Sequence, residues 1–313
     1  MAIITEEMRY REKVVKYAIK QGNNAQAARR YHTNRMQVKR WRDRYDGTVE
    51  SLRNQSTRPH SHPRQHQKEE LTLIKKVYQR YGHEGLAQVY VECQKRGYRR
   101  SYGSMSKQIR DRKWGMSEEA VPKRYPKSKW QADPVSYPGE KVQIDIKYVP
   151  HECIQFESYD RRYYQITAID EFSRKRHSTI VDEKSVTHTA QFLLDLQDQL
   201  GFQIQMVQTD KGAEFVNDPD KTTKKTLFEQ RLKELGIQYR TTRPYSPWQN
   251  GKVERSHRED QVRFYSKRVF TSEADMKKQH QRYMSRHNNI VRKVLNFRSP
   301  NQVVDQYRAE VAS

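Results

Sequence analysis

Between residues 139 and 287 the order of strand-like and helix-like runs admits few folds. Val142, Ile144, Ile146 and Tyr148 alternate with Gln143, Asp145 and Lys147, the period of two that a half-buried strand requires. Strand-like runs follow at Tyr163 to Asp170 and Arg176 to Val181. Then come a helix, Ser185 to Leu200, a strand, Gln203 to Gln208, a helix, Thr226 to Leu235, and a short strand, Ile237 to Thr241. Three strands in succession, then alternation of helix and strand, predict a mixed sheet with helices on both faces. A last helix is expected over Ser272 to His287, with a basic tail after it.

Three acidic residues sit awkwardly in this pattern. Asp145 lies on the strand face opposite the apolar row, and Asp210 ends the apolar run Ile204 to Val207 before a Lys-Gly turn, although Asp is disfavoured in strands. Glu254 opens a strongly basic helix within RTTRPYSPWQNGKVERSHRED, residues 240–260. Ser246 can cap that helix and Pro247 suits its first position, so phasing from about Trp248 puts Asn250, Glu254, His257, Arg258 and Gln261 on one face. A surface Glu254 to Arg258 pair, worth only ~0.3 to 0.5 kcal/mol, is the plain alternative. Three such acids suggest instead a hard cation. Mg²⁺ takes a few carboxylate oxygens and completes its shell with water and substrate phosphate, and Mn²⁺ favours the same ligands.

The segments QIDIKYVP, YYQITAIDEFSRKR, VQTDKGAEF and RPYSPWQNGKVERSHRED, with a later RSPNQV, carry a resemblance. In this order, over roughly Gly139 to Val304, the chain resembles insertion-sequence transposases whose catalytic domain is like that of retroviral integrases. The resemblance implies an α/β ribonuclease-H-like core, a metal-binding triad on Asp145, Asp210 and Glu254, and two magnesium ions. It implies hydrolysis at the element's ends, then attack of the exposed 3′ hydroxyls on target DNA. The chain departs from the family in one spacing: 43 residues lie between Asp210 and Glu254, more than the usual thirty-five, and the charged, turn-prone segment from Val216 to Thr226 can loop out to hold the surplus. Asp170, in AIDEFSRK, is read as supporting the fold, and Glu214 as a candidate auxiliary acid.

Charge points the same way. Lys and Arg number 61 against 38 Asp and Glu, a net charge of +23, which suits a polyanion such as double-stranded DNA. Two cysteines, Cys93 and Cys153, offer neither a disulfide framework nor a zinc site. No run is apolar enough to span a bilayer and the first 21 residues are charged throughout, so a cytoplasmic, bacterial, nucleoid-associated protein without signal peptide is expected.

The expected organisation is multidomain, with all-α helix-turn-helix modules before the catalytic core. Residues 1–46 form the first: helices over Glu6 to Lys20, AQAARRY, and RMQVKRWRDRY, whose Met36, Val38 and Trp41 can pack while Arg35, Gln37, Lys39, Arg40 and Arg42 are candidate DNA contacts. Residues 47–66 are a basic Pro/His linker whose Arg58 and Arg64 can follow a minor groove, and His60, His62 and His66 read as polar linker. A second trio of helices fills 67–114, either another DNA-reading module or a spacer packed on the core. A Pro-rich linker spans 115–138, the core 139–305 and a tail 306–313. Lys252, Arg255 and Arg258 are candidate phosphate holders. A dimer or higher assembly is expected, because two DNA ends must meet. The rival functions are an inactive, sequence-specific DNA-binding regulator derived from a transposase, and a nuclease of the ribonuclease-H kind.

Overall fold

The computed structural model describes residues 4–56, 62–115, 134–156, 161–218, 220–243 and 246–312. Arg58 and His60, and Pro122 and Pro126 of the second linker, lie outside them. Contacts divide the chain into two units, residues 1–65 and 66–313.

In the first unit α1 (Glu6–Gln21), α2 (Asn24–Arg30) and α3 (Arg35–Arg44) enclose a small core of Val14, Val15, Ala18, Ala27, Val38 and Trp41. Thr5, Asn23 and Asn34 cap the three helices through their side-chain oxygens, satisfying amides that have no partner within the helix. Two expectations change here. Met36 is 56% exposed rather than packed, so α3 buries only Val38 and Trp41 and leaves Arg35, Gln37, Lys39 and Arg40 on its open side. Leu52, expected in a linker, is fully buried in this unit, with its carbonyl accepting from Arg11 Nη1 at 2.8 Å.

The second unit opens with α4 (Lys68–Tyr81), α5 (Leu86–Lys95) and α6 (Tyr102–Asp111) around Ile74, Val77, Val89, Cys93, Met105 and Ile109. His66 belongs to this core: it is buried and its Nε2 lies 2.9 Å from the Tyr98 hydroxyl. These helices pack on the C-terminal part of the chain. Glu84 accepts two hydrogen bonds from Arg286, at 2.7 and 2.8 Å, and Gln88 Oε1 accepts from the Val291 amide at 3.0 Å. Phe297, with a left-handed φ of 61°, sets its ring 5.0 Å from Tyr90 and 5.3 Å from Tyr102. Lys107, Arg110, Arg112 and Lys113 remain exposed, so packing on the core leaves the basic side of α6 open.

The sheet is mixed, in the order β3-β2-β1-β4-β5. Strands β1 (Val142–Tyr148), β2 (Tyr164–Asp170) and β3 (Arg176–Val181) are antiparallel; β4 (Met206–Thr209) and β5 (Gln238–Thr241) continue in parallel. On one face Val142, Ile144, Ile166, Ala168 and Val207 pack against α7 (Val186–Leu200) and α8 (Leu227–Glu234). The other face carries Gln143, Asp145, Lys147, Gln165, Thr167, Arg176 and Ser178, and is covered by α9 (Gly251–Arg263) and α10 (Glu273–His287). The expected tail is instead α11 (Pro300–Ala312), which buries Val303 and Val304. Short apolar pairs in a charged stretch hide such a helix from periodicity alone.

Candidate active site

Strand register brings the two aspartates together. Val142 and Gln143 of β1 pair with Val207 and Gln208 of β4; the same register carried two residues further sets Asp145 level with Asp210. Both then lie at the polar face, because side chains two apart on a strand point the same way. Thr209 holds the end of β4, its hydroxyl 2.7 Å from that of Tyr239, and Asp210 Oδ1 accepts from the Gly212 amide at 3.0 Å in a tight turn.

Glu254 reaches this face because two glutamines hold its helix. Gln143 Oε1 accepts from the amides of Lys252 and Val253, both at 3.1 Å, which are free donors of the first turn of α9. Gln143 Nε2 and Gln208 Nε2 each donate to the Gln249 carbonyl at 2.9 Å, and Asn250 Nδ2 donates to the Ile144 carbonyl at 3.3 Å. Each glutamine stands two residues before an aspartate and shares its face, so the strand that presents the acid also fixes the helix carrying the third. This replaces the expected start at Trp248 and capping by Ser246: residues Pro247–Asn250 form a 3-10 turn, and a strand side chain serves the first amides of α9. The expected helix face does turn to β1. His257 Nδ1 lies 3.3 Å from Asp145 Oδ2, and Lys147 Nζ donates to Gln261 Oε1 at 3.3 Å.

The acids sense one another. Packing around Glu254, then the charge of Asp145 and more weakly that of Asp210, raises its carboxyl above the usual range against the pull of His257 and Arg258. Asp210 is raised by packing and by Asp145 and Glu214, against the Gly212 amide and Lys184. Like charges held together in this way fit a site that a divalent cation would relieve. Among the described residues no group of three or more His, Cys, Asp or Glu side chains is placed so as to hold a metal ion. A magnesium site needs no such group, since one or two carboxylates, water and substrate phosphate suffice. Asp145, Asp210 and Glu254 supply hard oxygen donors only, the type that the ion suggested by the sequence takes.

The remaining candidates separate. Arg258 is exposed on the Glu254 side of α9, whereas Lys252 and Arg255 lie on its other side. Lys252 pairs with buried Glu171. Glu214 is buried and paired with Lys184 at 2.8 Å. Asp170 is fully buried and accepts from the Gly139 amide at 2.9 Å and from the Ser173 amide and hydroxyl at 2.6 Å, so it ties the β2 end to the start of the domain. The segment expected to hold the surplus spacing is tied back on itself: Thr226 Oγ1 donates to the Phe215 carbonyl at 2.7 Å and Asn217 Nδ2 to that of Lys224 at 2.8 Å. Sequence reading missed Gln143, Gln208 and Lys184; the only local sign was the repeated Gln-x-Asp.

Comparison with known proteins follows this geometry. Residues 135–247 match the integrase core domain family and residues 235–294 a second family of the same description, so that the first match spans Asp145 and Asp210 and the second Glu254. Residues 11–60 match a helix-turn-helix domain family. An integrase-type ORF3 product of Spiroplasma virus SpV1-C74 is 30% identical over 152 residues, covering 46% of this chain and 42% of that protein; the chain thus spans less than half of that relative's length. Among solved structures, a simian T-cell lymphotropic virus intasome has 17% identity, 74% coverage of each chain and a TM-score of 0.44. The HTLV-2 integrase catalytic core domain in complex with magnesium has 14% identity, 54% coverage of this chain and 97% of that one, and a TM-score of 0.40. The chain carries an integrase core domain over residues 135–294, with a helix-turn-helix domain ahead of that core.

Removing the clamp separates placement from chemistry. Gln143→Ala is expected to lower DNA joining by about 10- to 100-fold, the usual cost of losing a group that orients a metal ligand, with DNA binding kept. Joining by Gln143→Ala at the wild-type rate would show that α9 finds its place without the clamp.

Proposed function

We propose that the chain is an active DNA transposase that binds the terminal repeats of its element, cuts the ends and joins the 3′ hydroxyls to target DNA. What supports this reading is that Gln143 and Gln208, each two residues before an aspartate, hold the helix that carries Glu254, and that the charges of Asp145 and Asp210 are both felt at the Glu254 carboxyl. Magnesium bound there, as one ion or two, would activate the attacking oxygen and neutralise charge on the phosphoryl group and leaving oxygen. The three carboxylates would hold it, Gln143 and Gln208 would keep Glu254 over the strands, and Arg258 would offset phosphate charge at the rim. The first unit would recognise the repeat through Arg35, Gln37, Lys39, Arg40 and Arg42 on or beside the open side of α3, with Arg58 and Arg64 following the backbone. Two protomers or more would pair the ends. Among the described residues no helix is long and apolar enough to cross a membrane, and work on DNA in a bacterial cytoplasm is part of this proposal.

The test is a joining assay with purified chain, labelled terminal-repeat DNA and Mg²⁺, repeated with Mn²⁺. Joined products are expected with either ion and none with chelator. Tight, sequence-specific binding without any cut or joined product would instead favour the reading as a DNA-binding regulator.

A further inference from the structure

Behind α9, on the side away from Glu254, lies a cavity of about 730 Å³. That is the size of pockets that hold whole small molecules rather than single ions. Its lining brings together Arg174, Lys252, Arg255, Arg292 and Lys293 with one acid, Glu259. Glu259 is already shared among Arg255 at 4.0 Å, Arg263 at 3.9 Å and Arg292 at 3.4 Å, and Lys252 is held by Glu171 behind the wall. The cavity therefore keeps a clear excess of positive charge.

Two features set the arginines of this wall apart. Arg174 Nη1 and Arg292 Nε are buried and have no hydrogen-bond partner among the described residues, an arrangement that costs free energy unless something else accepts. Arg174 also sits at a left-handed φ of 62°, a conformation that costs a non-glycine residue and persists where the surroundings demand it. Burial, and the nearby charges of Arg292 and Arg255, hold its guanidinium below its ordinary value although Glu171 and Asp170 oppose them. Guanidinium donors left over in a concave, positively lined pocket suit the oxygens of a phosphate group.

The same helix separates this pocket from the catalytic face, since Glu254 and Arg258 line one side of α9 and Lys252, Arg255 and Glu259 the other. A polyanion drawn over Glu254 has its backbone within reach of both sides. We propose that the pocket is a second phosphate-binding site, which seats a backbone phosphodiester of the bound DNA away from the bond being broken and so sets the strand's path across Glu254. The inference rests on the transposase reading and adds to it Arg174, Arg292 and Lys293.

The experiment places single methylphosphonates along terminal-repeat DNA and measures binding to the full chain, comparing wild type with Arg174→Asn and with Arg174→Asn combined with Arg292→Gln. Asn tolerates the left-handed backbone, so the first variant removes charge with little strain. One position is expected to weaken wild-type binding several-fold and to have no effect on the variants, and the slope of log affinity against log salt should fall by about one. Inorganic phosphate at millimolar concentration serves as the competing probe. Unchanged slopes with every methylphosphonate costing both proteins alike would overturn the proposal, as would stabilisation of the wild type by inorganic phosphate with no sensitive position in the DNA. A joining assay on the same samples keeps the two readings apart. Joining by wild type with an insensitive pocket sinks the pocket alone, and a phosphate-sensitive pocket without joining sinks the activity alone.

Discussion

Glu254→Gln is expected to abolish joining, by ~10³-fold or more, while terminal-repeat binding stays within about twofold. Loss of one fixed electrostatic stabiliser commonly costs ~10² to 10³ in rate, and a side chain that holds the metal should cost at least as much. The substitution keeps the shape of the side chain and removes its charge. It also spares the clamp, because Gln143 holds α9 through the backbone amides of Lys252 and Val253. A fall in binding parallel to that in joining would mean that Glu254 places DNA or supports the fold. Unchanged joining would remove it from the catalytic set.

Asp260→Asn is expected to destabilise the second unit by about 3 to 5 kcal/mol, the usual cost of breaking a buried ion pair on one side. Asp260 Oδ1 lies 2.7 Å from Arg176 Nη2, with side chains 1% and 0% exposed, and Tyr283 and Gln165 donate to the same carboxylate at 2.9 and 2.8 Å. The variant leaves the Arg176 guanidinium buried without its counter-charge. A chain of this size should lose on the order of 10 °C in melting temperature. Replacing both partners, Arg176→Met with Asp260→Leu, should recover most of the loss, because the penalty lies in the unpaired charge. Equal losses in single and double variants would show that packing volume is what matters.

The pH dependence of this pair has a definite sign. Burial alone would raise the Asp260 carboxyl, but Arg176, Gln165 and Tyr283 hold it below its ordinary value. Its contribution is therefore present above ~3.9, the unfolded value, and lost as pH falls through the lower folded value. Two histidines, His280 buried and His177 half-buried, act earlier. Burial lowers His177 to about 4 and His280 to about 3, so their contribution is full above the unfolded value near ~6.5 and declines as pH falls below it. Both proteins should weaken between these values, and the gap between wild type and Asp260→Asn should hold to about pH 4 and close only below it. Thermal melts from pH 7 to 2.5 follow both. A gap already closing at pH 6 would place the pair's charge elsewhere.

What could be read from the sequence was whatever a local period encodes. The alternation over Val142 to Tyr148 put Asp145 opposite the apolar row, and helical phasing put Glu254, His257 and Gln261 on one side of α9; both faces lie where that arithmetic sends them. The order of three strands followed by alternation carried the mixed sheet, since connectivity and handedness leave few ways to pack it. What failed locally was short or weakly patterned. Met36 and Leu52 exchanged their expected roles, His66 joined a core through Tyr98, and α11 showed no period to detect. Only the tertiary structure decided how the site is held, because its supports lie far apart in the chain. Gln143 meets Gln249 across 106 residues and Arg176 meets Asp260 across 84. A buried polar side chain is recognisable only with its partner beside it, and no window of neighbouring residues contains both.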